Sequence, residues 1–201
     1  MIILASNGLS SPPLLEAAGR CVQPGKAALV VTADNIYKEK NYHVERTARE
    51  LEQLGMAVEC FDFDTRSPDA LLDYDLVEMI GRNPYYLLHA IRLRGFADVL
   101  REFAENRVLI GWSAGALVIG PTLELIDRYS PEMNEVGLTN PSALALTDVQ
   151  ILPHYSRFLA RYKNFEETCV RYEREKHCRV IRISDGEGVL IHDGQPDVIR
   201  I

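Results

Sequence analysis

The segment from residue 108 to residue 116 constrains the fold more than any other part of this chain. An apolar run, Val108-Leu109-Ile110, leads directly into Gly111-Trp112-Ser113-Ala114-Gly115 and a further alanine. This pattern predicts a buried strand, a sharp turn and a helix that packs closely on the strand. The two glycines suit such a turn, because a bulky side chain at either position would hold the helix away from the strand.

Strand patterns and helix patterns alternate along most of the chain. The predicted strands are 2–5, 27–32, 58–63, 76–80, 108–112, 149–152 and 179–183, and the predicted helices are 14–20, 42–54, 84–94, 96–106 and 158–176. Segments 188–192 and 197–201 flank Asp193-Gly194, a strong hairpin signal. The alternation predicts one α/β domain over residues 1–201, a three-layer α/β/α sandwich with a mostly parallel central sheet. The C-terminal β-hairpin would add antiparallel edge strands.

Composition limits the function classes that the chain can serve. Hydrophobic residues make up 47% and charged residues 25% of the 201 residues, as in ordinary soluble domains. The formal net charge of −7 gives no electrostatic footprint for nucleic acid. No basic leader, membrane-length apolar run or metal-ligand spacing is present, and the four cysteines are scattered. We therefore expect a cytoplasmic protein, monomer or homodimer, without metal, cofactor, nucleic-acid partner or membrane partner.

Ser113 is the candidate nucleophile. A serine between glycines at a strand-to-helix turn matches the nucleophile elbow, which raises the hydroxyl above the carboxyl edge of a sheet. Ala114 would then offer its backbone N–H at a helix N-terminus, where partial positive charge can meet an oxyanion. The same edge of a parallel sheet is where ligands bind, and His154 and the loop at Gly81 also follow predicted strands.

A serine needs a general base, and the base needs an acid that orients it. Among the five histidines, His154 follows an apolar strand at the edge where Ser113 should emerge. Glu187 lies between glycines at a strand junction and is the favoured acid, with Asp185 as its close competitor. Asp127, after the elbow helix, is a further alternative. Pairing His192 with Asp127 would restore the chain order of α/β-hydrolases, but His192 lies beside a hairpin turn.

Four segments in the correct order resemble the peptidase E family, whose best-known member is an aspartyl dipeptidase. The resemblance covers most of the chain and rests on 111–116, on 138–144 with Leu152-Pro153-His154-Tyr155, on Glu187 before Gly188-Val189-Leu190-Ile191, and on Gly81-Arg82-Asn83-Pro84-Tyr85-Tyr86-Leu87-Leu88. It implies a serine peptidase on a fold related to class I glutamine amidotransferases. Its expected substrates are short peptides, including dipeptides with N-terminal aspartate.

Carried over to this chain, the resemblance assigns a Ser113–His154–Glu187 triad, with Asp127 as the alternative acid. The N–H groups of Ala114 and of Gly81 or Arg82 would form the oxyanion hole. Two further residues in the Gly81 loop, Asn83 and Tyr85, would bind substrate.

The chain departs from the family's Gly-Gly-Asn-Thr loop at Arg82 and Pro84. Arginine disfavours the positive φ that glycine supplies, and proline lacks a backbone donor. Arg82 could equally place a cation in the site. A hydrolase of another acyl or amide substrate and a non-catalytic binding protein therefore remain alternatives. An amidotransferase is disfavoured, because serine stands at the elbow where that class has cysteine.

Overall fold

The computed structural model describes residues 1–201. Its central sheet has seven strands in the order β3-β2-β4-β5-β1-β8-β9. Its strands are β1 (Ile2–Ala5), β2 (Gly25–Val30), β3 (Met56–Phe61), β4 (Leu76–Met79), β5 (Val108–Trp112), β8 (Gly188–His192) and β9 (Gln195–Ile199). The first five strands pair in parallel, and β8 and β9 add antiparallel pairs at one edge. The predicted mostly parallel sheet with a C-terminal hairpin is confirmed.

Eight helices connect the strands or cover the sheet. They are α1 (Pro12–Gly19), α2 (Val44–Gln53), α3 (Pro84–Arg94), α4 (Phe96–Asn106), α5 (Ala114–Ile119), α6 (Glu124–Asp127), α7 (Tyr155–Arg161) and α8 (Phe165–Lys176). The central strands are apolar and buried because helices cover both faces of a parallel sheet. None of the helices has the length and apolar character that crossing a membrane would require.

The parallel pairing places the functional turns side by side. In the sheet register, Ala5 of β1 lies beside Trp112 of β5, and Met79 of β4 lies beside Gly111. The loops that follow β1, β4 and β5 therefore meet at one carboxyl edge, as the strand–helix alternation implies.

The remaining two strands form a sheet of their own, β6 (Gln150–Leu152) with β7 (Val180–Arg182). This pair packs with α8 over a small second core that includes Phe165 and Tyr172. The helix predicted over 158–176 is two helices, because Tyr162 is extended and Asn164 adopts a left-handed φ of 56°. Its charged surface thus covers a buried face.

Candidate active site

The elbow at Ser113 has the close packing that its glycines predict. Ser113 has φ 50° and ψ −111°, and its N–H donates to the Ala5 carbonyl of the neighbouring strand. A Cβ at Gly111 would lie 2.5 Å from the Gly115 backbone, and a Cβ at Gly115 would lie 2.1 Å from the Met79 carbonyl. Only glycine fits either position, so α5 starts in contact with both β5 and β4.

His154 lies beside the Ser113 hydroxyl. Its Nε2 is 2.9 Å from Ser113 Oγ, a hydrogen-bond distance. The backbone of His154 is in the left-handed region, with φ 57°, and its N–H donates to Ser6 Oγ at 2.8 Å. The imidazole is largely buried, and its ring meets Phe158 edge-on with the centroids 5.5 Å apart.

Asp185 is the carboxylate that contacts His154. Its Oδ1 is 2.6 Å from His154 Nδ1 and also accepts a 2.9 Å hydrogen bond from Ser6 Oγ. The hydrogen bond with His154 is the main cause that lowers the pKa of Asp185 to about 2, and Ser6 and Arg157 act in the same direction. The carboxylate is therefore ionised at neutral pH and fixes Nδ1 as the protonated nitrogen, which leaves Nε2 free to accept.

The carboxylate beside His154 belongs to Asp185 and not to Glu187, the acid that the sequence favours. Glu187 turns back on its own loop, where its carboxylate accepts from the Ser184 N–H at 2.7 Å and from Arg200 at 2.6 Å. A tight turn joins Ser184 to Glu187, with Gly186 at φ 90°. Because of this turn, the Asp185 side chain contacts His154 and the Glu187 side chain contacts Arg200. Glu187 thus stabilises the turn that presents Asp185.

Asp127, the alternative acid, is also bonded elsewhere. The Tyr85 hydroxyl donates to its Oδ1 at 3.0 Å, and Asp127 is exposed. Burial, together with this carboxylate, raises the pKa of Tyr85. The tyrosine ring is buried and does not line the cavity beside Ser113, and its substrate contact stays a prediction.

The Asn83 side chain also makes its hydrogen bonds within the protein. Its side chain caps α3 by accepting from the N–H groups of Tyr85 and Tyr86, and it donates to the Met133 carbonyl at 2.9 Å. Like Tyr85, Asn83 does not line the cavity. It joins the loop after β4 to the segment at Met133.

The three residues predicted for the oxyanion hole lie around Ser113. A Cβ on Gly81 would come within 2.4 Å of the Trp112 ring and 2.9 Å of Ser113 Cβ, so this position requires glycine. The N–H groups of Gly81 and Arg82 donate to no protein acceptor, and the N–H of Ala114 begins a helix and has no intrahelical acceptor. Arg82 has a φ of 147°, a conformation that favours glycine.

Ser113 and His154 open into a cavity of about 740 Å³. Its lining includes the cationic side chains of Lys40, Arg82, Arg157 and Arg161 and the carboxylates of Asp34, Glu132 and Asp185. The lining also includes the rings of Tyr129, Phe158, Tyr162 and Phe165 and the side chains of Leu117, Ile126, Met133 and Leu152. The guanidinium groups of Arg157 and Arg161 lie 5.5 Å and 5.4 Å from the ring centroids of Phe158 and Tyr162.

Sequence reasoning missed Ser6 and this aromatic lining. Ser6 was detectable in principle, because a polar residue directly follows β1 at the functional edge of the sheet. Phe158, Tyr162 and Phe165 stand at helical spacing, i, i+4 and i+7, which was a signal that sequence reasoning did not use, whereas Tyr129 comes from a distant segment.

Comparison with known proteins gives a consistent result. The model of peptidase family S51 matches residues 3–199. The uncharacterized peptidase Lmo0363 of Listeria monocytogenes is 31% identical, over 83% of this chain and 82% of the relative. Peptidase E of Salmonella typhi is 27% identical, over 97% of this chain and 87% of the relative.

Two solved structures share the fold. A crystal structure of a candidate peptidase E protein from Listeria monocytogenes EGD-e superposes with a TM-score of 0.79 at 27% identity, covering 100% of this chain and 98% of that one. A peptidase from an acI-B1 actinobacterium has a TM-score of 0.66 at 16% identity, with 94% and 81% covered, which shows the shared fold alone.

Proposed function

Since this chain belongs to peptidase family S51 and is a serine-type peptidase, we propose that it cleaves short peptides with Ser113 as nucleophile, His154 as general base and Asp185 as the orienting acid. The observation that carries the proposal is the continuous line of hydrogen bonds from Ser113 Oγ through His154 to Asp185. Each link has a hydrogen-bond distance, and with Nδ1 protonated towards Asp185 the Nε2 atom can accept the serine proton.

The reaction follows from these positions. Ser113 Oγ attacks the scissile carbonyl carbon while His154 Nε2 takes the hydroxyl proton. The oxyanion accepts hydrogen bonds from the N–H of Ala114 and an N–H of the Gly81 loop, which stabilise charge that develops only in the transition state. His154 then gives its proton to the leaving nitrogen, and the C–N bond breaks. Water, deprotonated by His154, hydrolyses the acyl-enzyme and restores Ser113.

The substrate is proposed to carry an acidic residue at its N-terminus, as in Asp-X dipeptides. Lys40 and Arg82 line the cavity, and neither forms an ion pair with a protein carboxylate, whereas the Arg161 guanidinium lies 5.4 Å from the centroid of the Tyr162 ring. Cations without protein partners in a partly enclosed site favour an anionic ligand. Arg82 also lies in the loop that supplies the oxyanion N–H groups, so an acidic side chain bound there would be close to the scissile carbonyl.

The test is hydrolysis of a dipeptide panel with N-terminal Asp, Glu, Ala, Leu and Lys by the wild type, Ser113→Ala and Ser130→Ala. Ser130 lines the same cavity and makes no hydrogen bond to Ser113, His154 or Asp185, so Ser130→Ala is the matched control. We expect cleavage of the Asp peptides by the wild type and the control, with loss of about 10³-fold or more in Ser113→Ala.

Labelling by a fluorophosphonate probe separates the remaining outcomes, because only an activated serine reacts. Labelling at Ser113 without cleavage of any dipeptide would point to a different acyl substrate. Neither labelling nor cleavage by the folded protein would overturn the proposal in favour of a non-catalytic binding protein.

A further inference from the structure

We propose that four rings of the cavity form a subsite for a large apolar side chain on the leaving residue of the substrate. These rings belong to Tyr129, Phe158, Tyr162 and Phe165, and together they are called the aromatic wall. The inference rests on the proposed peptidase function and adds to it the class of residue that follows the scissile bond. In an Asp-X dipeptide, X would be a residue such as phenylalanine or leucine.

The aromatic wall is one continuous surface. Phe165 is at its base, buried, with its ring centroid 4.6 Å from Tyr129, 6.0 Å from Phe158 and 6.1 Å from Tyr162. Phe158 and Tyr162 are 5.5 Å apart. Tyr129 is held in place because its hydroxyl donates to the Phe165 carbonyl at 2.8 Å. The Tyr129 hydroxyl is thus hydrogen-bonded within the aromatic wall, and the Tyr129 ring lines the cavity.

The rings are not fully covered by the protein itself. All four line the cavity, and Tyr129, Phe158 and Tyr162 remain partly exposed there. Large apolar surface on a concave wall is stabilised when a ligand removes it from water. Aromatic rings also favour edge-to-face and offset contacts with another ring, which favours an aromatic ligand further.

The position of Phe158 assigns the wall to the leaving residue. Its ring meets that of His154 edge-on, and α7 begins at the residue after His154. In the proposed reaction His154 Nε2 gives its proton to the leaving nitrogen, so that nitrogen is within hydrogen-bond distance of the imidazole. The side chain attached one carbon away from that nitrogen is therefore placed next to Phe158 and the wall behind it.

The experiment measures kcat/KM for peptides with one N-terminal residue and X equal to Gly, Ala, Leu or Phe. The N-terminal residue is the one that the preceding panel shows to be cleaved best. The variants are Tyr162→Ala, which removes a ring that does not touch His154, and Phe158→Ala. Leu159→Ala is the matched control, because Leu159 lies on the same helix, is exposed and does not line the cavity.

We expect the wild type to prefer X = Phe over X = Gly by about 10- to 100-fold, the effect of burying one such side chain. Tyr162→Ala should lose most of this preference through a higher KM for X = Phe. Its activity on X = Gly should stay close to that of the wild type, which also shows that the variant folds. Leu159→Ala should keep the preference.

Equal cleavage of all four peptides by the wild type would overturn the subsite and leave the peptidase proposal intact. A variant that loses activity equally on X = Gly and X = Phe would also overturn it, because the wall would then serve only to position His154. Cleavage of no peptide would overturn the proposed function itself, and this inference with it.

Discussion

Ser6 donates a 2.9 Å hydrogen bond from Oγ to Asp185 Oδ1, the same carboxylate oxygen that contacts His154. The hydroxyl of Ser6 also accepts from the His154 backbone N–H at 2.8 Å, and Ser6 is fully buried at the end of β1. One side chain at the carboxyl edge of the sheet therefore fixes both the acid and the backbone of the base. Its position is rigid because β1 is paired on both sides, with β5 and β8.

Ser6→Ala should lower kcat more than it raises KM. The variant leaves the His154 N–H without a partner and removes one hydrogen bond from Asp185, a loss of about 1 to 2 kcal/mol, or roughly 10-fold in kcat. Steady-state kinetics on the best dipeptide would measure this effect. Ser156→Ala is the control, since Ser156 is exposed on α7 and makes no side-chain hydrogen bond. An unchanged kcat in Ser6→Ala would mean that Ser6 does not position the pair.

Asp185→Asn should abolish most activity, whereas Glu187→Gln should not. The amide cannot hold the imidazole in the required tautomer, and an equivalent change in a serine protease costs about 10⁴-fold in kcat. Glu187→Gln weakens the contacts with Ser184 and Arg200, so its main effect should be on thermal stability.

Asp127→Asn completes the comparison, and we expect kcat near the wild-type value because Asp127 contacts Tyr85 rather than His154. Kinetics and thermal melting of all three variants separate the acids. A larger loss of kcat in Glu187→Gln than in Asp185→Asn would restore the acid predicted from the sequence.

The sequence did not predict which carboxylate contacts His154. Both Asp185 and Glu187 follow a strand and lie near glycines, and the sequence pattern favoured Glu187 because glycines flank it on both sides. The choice is made by the turn from Ser184, in which Gly186 has φ 90° and the Glu187 carboxylate caps the Ser184 N–H. Such a turn depends on tertiary contacts, including the hydrogen bond from Arg200 of the last strand.

The bounds of the helices and strands could be predicted better than the pairing of the strands and the packing of the helices. Strand β5 and helices α3 and α4 match their predicted bounds, because apolar runs, Pro84 and Gly95 mark them locally. The strands β6 and β7 were also predicted near their observed bounds, but nothing local shows that they pair apart from the main sheet. The second core under α8 depends on long-range packing of residues such as Phe165, which periodicity alone does not reveal.

Stability should fall with rising pH because of Glu78. This glutamate is fully buried on β4, and neither of its carboxylate oxygens has a hydrogen-bond partner. Burial, helped by the negative charge of Glu50, holds the pKa of Glu78 well above its ordinary range. The folded state therefore keeps a proton that the unfolded chain loses above about pH 4.3, so Glu78 destabilises the fold as pH rises.

Glu78→Met should raise the free energy of unfolding by about 1 to 3 kcal/mol at pH 8 and by less at pH 4. Urea denaturation at several pH values would measure the difference. Glu78→Gln is the control, because it removes the titration but keeps a polar group in the same place. A gain for Glu78→Met that is the same at every pH would show that the pKa of Glu78 does not differ between the folded and unfolded states.

Arg82→Gly should make the protein more stable and a poorer enzyme. Arg82 has a φ of 147°, which costs an arginine about 1 to 3 kcal/mol, and glycine regains part of this after its own larger unfolded-state entropy. The same change removes a cation from the cavity, so KM for peptides with an N-terminal aspartate should rise about 10-fold or more. Arg82→Ala separates the two effects, because it loses the cation and keeps the strained backbone. Thermal melting and steady-state kinetics should show both changes in the glycine variant and only the kinetic one in the alanine variant. An unchanged KM in both would mean that Arg82 does not bind the substrate.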